Sequence, residues 1–334
     1  MNERPTDVAL PVHLVHAPPP AALRALRGRL DPRVALSLGK GPVPADARVL
    51  VTGRPTREQL GASPRLHTLI VPYAGIPAET RKLLLEDRPD LIVYNLHHNA
   101  GAAAELAMAL MLAASKTLIP VDRRFRQHDW RSRYDGAPTL LLEGKTAVVL
   151  GLGAIGMRVA AACRGLGMRV VAVRRRPAPI RPDDIEQRPP GGLHRTLPMA
   201  DVLFVTLPLT PATAGMIGEA ELGLLPRTCV LVNVARGAIV DEQALYEALR
   251  HERIAAAGID AWYVYPRTEA DRTSTPPSRF PFHELDNVVM SPHRGGAFRV
   301  DELEQRRMHD LAESLNAIAR GEPAPHRVDL EAGY

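Results

Sequence analysis

The chain has 334 residues, too many for one ordinary hydrophobic core and suited to two domains of roughly 100–200 residues each. Hydrophobic residues make up 46% and charged residues 24%, a globular composition that excludes a disordered chain. The net charge of +5 comes from scattered arginines, with only 4% aromatics, which fits a basic surface serving a small anionic substrate and argues against a nucleic-acid partner.

In chain order, apolar runs at 12–15, 48–51, 69–71 and 91–94 predict strands, with helical patterns such as 80–85 between them. That alternation is α/β construction. The Ala/Leu/Met-rich segment 100–118 has the composition of a buried connecting helix leading out of this domain. After the arginine-rich stretch 122–135, six more β-like runs follow at 146–150, 169–173, 202–206, 229–232, 256–260 and 288–290, again with helices between them. Such a series predicts a doubly wound parallel sheet. The last segment, 297–320, reads as helix; packed on the first domain, it would make the chain cross between domains twice and form a natural hinge.

Cys163 and Cys229 both sit in apolar sequence, so neither a disulfide framework nor a thiolate metal site is expected, and a cytoplasmic location is. No run approaches the roughly 18 apolar residues that cross a bilayer, and no basic-then-apolar start suggests export. Neither a membrane span nor a membrane partner is expected.

Gly151-Leu152-Gly153-Ala154-Ile155-Gly156 follows the strand ending at Leu150 and opens a helix. Strand, glycines and helix in this order predict a dinucleotide site: Gly151 for the tight turn, Gly153 for close approach of backbone amides to a pyrophosphate, Gly156 for close packing of the helix. The second strand of such a unit usually ends in an acid that binds the adenosine ribose. Here it runs into Arg174-Arg175-Arg176, guanidinium groups suited to a 2′-phosphate, so NAD(P) with NADPH favoured over NADH is the expected cofactor.

With these residues in place, the sequence resembles the D-isomer-specific 2-hydroxyacid dehydrogenase family, which includes hydroxypyruvate and glyoxylate reductases, phosphoglycerate dehydrogenase and formate dehydrogenase. The resemblance covers nearly the whole chain. It rests on Gly151 to Gly156, Leu207-Pro208-Leu209-Thr210-Pro211-Ala212-Thr213, Val232-Asn233-Val234-Ala235-Arg236-Gly237 with Val240-Asp241-Glu242, and Ser291-Pro292-His293 with Gly295-Gly296. It implies two doubly wound α/β domains, a flavodoxin-like substrate domain of residues 1–118 plus 297–334 and a Rossmann NAD(P)-binding domain of residues 119–296. A homodimer is implied too.

The resemblance also implies roles. Arg236 looks like the arginine that grips a substrate carboxylate, and His293 like the acid/base that protonates a carbonyl oxygen as hydride arrives. Asp260 looks like the anchor of the nicotinamide carboxamide, with Thr206, Pro208 and Val234 lining the cofactor site. In the first domain, Tyr73-Ala74-Gly75 occupies the place of the family's carboxylate-binding glycine loop, in altered form, and Arg54 and Asn99 stand where substrate-side polar residues occur. His97-His98 is an addition; without a Cys, Asp or Glu at ligand spacing, no metal is expected there and the two read as loop or pocket-rim residues.

One departure bears on the chemistry. The family's glutamate, five positions after the aspartate, pairs with the histidine and raises its pKa. This chain has Tyr265 in that slot. A phenol cannot stabilise imidazolium by charge, so His293 should deprotonate more easily. The leading expectation is interconversion of a small anionic 2-keto acid and a D-2-hydroxy acid, with Tyr265 orienting His293. The alternatives are formate-type oxidation without proton transfer, a dinucleotide-sensing protein of corepressor type, and service of the histidine by another carboxylate such as Glu284. Residues 267–283 form a long proline-rich link read as a flap or a dimer contact.

Overall fold

A computed structural model describes residues 9–175, 185–296 and 300–333. Its strands, in chain order, are β1 (Leu10–Leu14), β2 (Val34–Leu38), β3 (Val49–Val51), β4 (Thr68–Val71), β5 (Ile92–Asn95), β6 (Thr146–Leu150) and β7 (Arg169–Val173). They continue with β8 (Glu186–Arg188), β9 (Val202–Val205), β10 (Val230–Asn233), β11 (Ala256–Ile259), β12 (Val288–Met290) and β13 (Arg327–Val328).

The described residues form two compact units, 9–99 with 300–333, and 100–296. In the first, the sheet order is β13-β5-β4-β3-β1-β2, parallel throughout except for β13, which runs antiparallel to β5. β3 and β4 are buried at every position, as a sheet covered on both faces requires. Helix Asp301–Ala319 returns to this unit and packs Met308, Leu311 and Leu315 against Leu26 of helix Pro20–Arg27. Each such fully buried side chain contributes about 1.5–3 kcal/mol. Asn316 fixes the register by accepting the Asp31 N–H at 2.7 Å and donating to the Arg29 carbonyl at 2.8 Å.

The second unit carries a wholly parallel sheet of order β12-β11-β10-β9-β6-β7-β8. The strand order reverses between β6 and β9, the switch point where open α/β sheets leave room for ligands at the carboxyl ends of their strands. Apolar runs such as VLFV in β9 are buried on both faces, and helix Ala154–Gly165 covers one of them with Val159, Ala160 and Cys163. Burial pushes the Cys163 thiol up to about 12, so it behaves as a small hydrophobe.

The structural division falls at Asn99, whereas the sequence reading carried the first domain to residue 118. The reason is the packing of helix Ala100–Ser115, whose Ala104, Ala107 and Met111 join the core of the second unit. A β-carbon on Gly258 of β11 would sit 2.7 Å from Leu110 Cβ, so small residues on both sides permit the approach. The helix ends at Ser115, because Thr117 is left-handed (φ +48°), and a second helix, Leu118–Phe125, continues at 66° to it. That second helix runs into the arginine-rich stretch 122–135. The terminal helix begins at Asp301, and residues 297–299, where the sequence reading placed its start, lie outside the described residues.

Candidate active site

The glycine turn forms first, from local rules. Gly151 follows β6 with φ +91°, a conformation that glycine adopts without strain. A β-carbon on Gly156 would collide with the Gly151 carbonyl oxygen and lie 2.9 Å from Thr206 Oγ1. Gly153, at the N-terminus of the 12-residue helix Ala154–Gly165, is exposed, and a β-carbon there would meet nothing within 4 Å. The helix has no acidic residue in its first turn, leaving its positive end uncompensated. These features fit a dinucleotide pyrophosphate. Thr206 donates its hydroxyl to the Gly151 carbonyl at 2.7 Å, so it braces the turn directly. Pro208 belongs to a loop closed by Thr213, whose hydroxyl donates to the Pro208 carbonyl at 2.7 Å.

At the end of β7, Arg174 donates its backbone N–H to the Arg188 carbonyl of β8, and its side chain is half-buried, while Arg175 is exposed. Arg176 lies outside the described residues.

Two strands from β6, at the carboxyl end of β10, the buried Asn233 shapes the turn that presents Arg236. Its Oδ1 accepts the Ala235 N–H and its Nδ2 donates to the Arg236 carbonyl, both at 3.0 Å. Val234 is buried within this turn. The Arg236 side chain is half-buried and uses one N–H on the Ala235 carbonyl at 2.7 Å, which among the described residues leaves most of its five donors for an anion. A β-carbon on Gly237 would lie 2.5 Å from the Trp262 carbonyl oxygen, so the neighbouring β11 loop approaches closely.

Asp260 follows β11 and is 1% exposed. Its Oδ1 accepts the Ser291 hydroxyl at 2.5 Å and the Arg294 N–H at 2.7 Å, and its Oδ2 accepts the Gly295 N–H at 2.8 Å. The carboxylate therefore holds the loop after β12, a task the sequence did not reveal. That loop carries His293 in the left-handed region (φ +55°), which histidine tolerates better than most residues. The indole N–H of Trp262 pins it again by donating to the Ser291 carbonyl at 2.8 Å.

Tyr265 Oη lies 2.8 Å from His293 Nδ1 and accepts the Trp262 backbone N–H at 2.9 Å. The His293 pKa lies below its ordinary value, first because neighbouring atoms displace water and then because the Arg236 guanidinium repels a second positive charge; Asp260 opposes in part. The direction is the one anticipated from the missing glutamate, but desolvation leads. Glu284, the alternative carboxylate, sits beside His283 instead.

The link 267–283 is held at its second end. Glu242, 8% exposed, accepts from the Ser278 hydroxyl, the Arg279 N–H and the Arg279 guanidinium, and Phe282 is buried in the core. These bonds anchor the 278–282 end of the stretch read from the sequence as a flap or a dimer contact.

In the first unit, Tyr73 packs over Gly53 and hydrogen-bonds Arg54, with burial raising the phenol pKa and Arg54 opposing. Arg54 itself is exposed, and Ala74 and Gly75 (φ +79°) follow Tyr73 in a half-buried loop. His97 stacks on His326 with ring centroids 4.2 Å apart and planes 9° from parallel, and burial pulls its pKa down to about 4. Burial likewise takes His98 to about 4, with Arg307 adding to the effect. Asn99 Oδ1 and His98 Nδ1 are buried without a hydrogen-bond partner among the described residues. No group of three His, Cys, Asp or Glu gathers at metal-binding distance among the described residues.

Residues 108–295 match the model of the D-isomer specific 2-hydroxyacid dehydrogenase NAD-binding domain. The chain belongs to the D-isomer specific 2-hydroxyacid dehydrogenase family. It is 36% identical over 280 residues to a D-3-phosphoglycerate dehydrogenase of Mycobacterium leprae, covering 83% of this chain and 49% of that protein. It is 37% identical over 239 residues to a glyoxylate reductase of Aeropyrum pernix, covering 69% of this chain and 67% of that protein. The chain thus spans about half the length of the phosphoglycerate dehydrogenase it matches. Among solved structures it is similar to a D-isomer specific 2-hydroxyacid dehydrogenase from Xanthobacter autotrophicus Py2 in complex with NADPH and MES, with a TM-score of 0.79, 25% identity, and coverage of 98% of this chain and 100% of that one. Two α/β units with parallel sheets are the fold of this 2-hydroxyacid dehydrogenase family.

Within that family frame, the residues whose supporting role was not read from the sequence are Asn233, Trp262, Ser291 and Gly295. Asn233, Ser291 and Gly295 lie inside quoted motifs and Trp262 two positions after Asp260, so their place in the sequence was the only signal.

Proposed function

We propose that this chain is an NAD(P)-dependent oxidoreductase that interconverts a small 2-keto acid and a D-2-hydroxy acid, with Arg236 binding the carboxylate and His293 exchanging the proton. The observation that carries this reading is the convergence of Arg236, Tyr265 and His293 at the carboxyl ends of the adjacent strands β10, β11 and β12. The glycine turn on β6 lies four strand spacings from β12, about 19 Å, a length suited to an extended dinucleotide. When bound, the dinucleotide supplies or accepts hydride. The protein's part is to hold the carboxylate on a planar, permanently charged guanidinium and to move a proton at the keto oxygen. Arg174 and Arg175 support NADPH as the preferred form.

Formate oxidation moves no proton to or from a hydroxyl and would leave the Tyr265–His293 contact without a task. The outward residues Leu118, Phe125, Trp130 and Tyr134 support a homodimer in which a second copy covers them. The two buried cysteines suit a reducing, cytoplasmic setting. The test is NADPH oxidation with glyoxylate, hydroxypyruvate and longer 2-keto acids. Turnover with at least one is expected; NADPH binding without turnover across the panel would favour a dinucleotide sensor.

A further inference from the structure

Tyr265 Oη stands between two nitrogens. The Trp262 N–H can only donate, so it occupies a lone pair on Tyr265 Oη at 2.9 Å, and the one phenol proton is available to His293 Nδ1 at 2.8 Å. With the phenol donating, Nδ1 is an acceptor and the ring's own proton sits on Nε2. A carboxylate in the same slot would do the reverse, drawing the proton to Nδ1 and favouring imidazolium.

We propose that Tyr265 is a positioning residue that holds neutral His293 as the Nε2–H tautomer and refills Nδ1 as the Nε2 proton passes to a keto oxygen. This rests on the reading of the chain as a 2-keto acid reductase. In balanced form, hydride from a dihydronicotinamide adds to the carbonyl carbon and the C=O π pair moves to oxygen. The Nε2–H bond breaks as the new O–H bond forms, and the Tyr265 O–H bond breaks as Nδ1–H forms. The products are the hydroxy acid, the oxidised nicotinamide, a neutral imidazole of the opposite tautomer and a phenolate, which solvent reprotonates.

Burial raises the Tyr265 pKa and opposes a phenolate, while the Trp262 N–H and the Arg236 guanidinium favour one. Arg236 and Asp260 are the charged groups that act on both rings; Arg236 disfavours imidazolium and favours a phenolate, whereas Asp260 has the opposite effect on each and is already engaged by Ser291, Arg294 and Gly295. The Trp262 N–H strengthens as a donor when its acceptor becomes anionic. An alkoxide is a stronger base than a phenolate, so transfer from phenol through imidazole runs downhill. Oxidation of a hydroxy acid needs a bare Nε2 as acceptor, a tautomer that turns the phenol proton away from Nδ1. The resting arrangement therefore favours reduction.

Two measurements test the relay. Imidazole 15N shifts of the cofactor-free protein at neutral pH read the tautomer without turnover. The expected result is His293 with a protonated Nε2 and a bare Nδ1, and loss of that preference in Tyr265→Phe; a protonated Nδ1 in the wild type would overturn the proposal. For reduction, kcat/KM should stay flat from about pH 6.5 to about pH 9 in the wild type. In Tyr265→Phe, where only imidazolium can donate, it should fall about tenfold per pH unit above the His293 pKa. A proton inventory should be curved in the wild type and linear in the variant. Parallel declines in both proteins, with linear inventories, would overturn the relay. Absence of turnover beside an Nε2–H tautomer would instead overturn the reductase reading.

Discussion

The carboxylate of Asp260 accepts the Gly295 N–H at 2.8 Å, and a β-carbon on Gly295 would stand 2.9 Å from that same oxygen. Thirty-five residues apart in sequence, the two are in contact because β11 and β12 are neighbours in the sheet, and the loop that carries His293 hangs from this bond and two others. Asp260→Asn keeps the shape but turns an amide NH2 toward backbone donors. Hydrogen bonds to a charged group are each worth about 1.5–3 kcal/mol, so denaturant unfolding should show a loss of about 2–3 kcal/mol. A change within about 0.5 kcal/mol would mean that Trp262 alone holds the loop.

Acid should weaken the first unit through its buried histidines. His97 and His98 have folded pKa values of about 4 against an ordinary 6.5. Above about pH 6.5 neither state binds the proton. Between there and about pH 4 the unfolded chain takes up protons that the folded one refuses, so stability falls as pH falls through that window and the loss is complete below it. One such histidine costs about 2 kcal/mol at pH 5. His97→Phe keeps a ring against His326 and cannot charge, so its melting temperature should drop less than that of the wild type between about pH 7.5 and pH 5. Equal drops would place the acid sensitivity elsewhere.

The glycine turn is a second point of tight packing. Gly156→Ala drives a methyl group into the Gly151 carbonyl and Thr206 Oγ1, and overpacking of this kind costs about 1–3 kcal/mol. Because Thr206 also bonds the Gly151 carbonyl, the turn must open to relieve the clash. The rise in melting temperature on adding NADPH should vanish in the variant. A rise equal to that of the wild type would show that this turn does not bind the dinucleotide.

Arg174 is the described arginine closest to the end of β7. Arg174→Asp should lower kcat/KM for NADPH by about 10–100-fold, the value of one charge-assisted bond to a phosphate, and leave that for NADH within a few fold. A wild-type preference for NADH, unchanged by the substitution, would contradict the cofactor reading.

What the sequence disclosed follows the range of the forces involved. The β6 turn and its helix were legible because their signals are local: an apolar run, glycines where φ is positive or a side chain would clash, and a helix start. β8 was not, since Glu186-Gln187-Arg188 has no apolar residue and is held from outside by pairing with β7 and by the ion pair of Glu186 with Arg169 of that strand. β13 has two residues and exists only as an antiparallel edge on β5, with Arg81 donating to the Leu330 and Glu331 carbonyls just beyond it. In the site, Arg236 and His293 stood in quoted motifs and Tyr265 in a slot counted from Asp260, and the structure places the three at the ends of adjacent strands. The role of Asp260 as a loop holder was hidden, because its three donors come from residues more than thirty positions away.

The most direct test of the whole account is steady-state NADPH oxidation with glyoxylate or hydroxypyruvate by wild type and His293→Ala, with NADPH binding measured in both. Turnover by the wild type, a loss on the order of 100-fold or more in kcat for the variant and unchanged NADPH binding are predicted. Equal rates in the two proteins, or binding without turnover in the wild type, would contradict it.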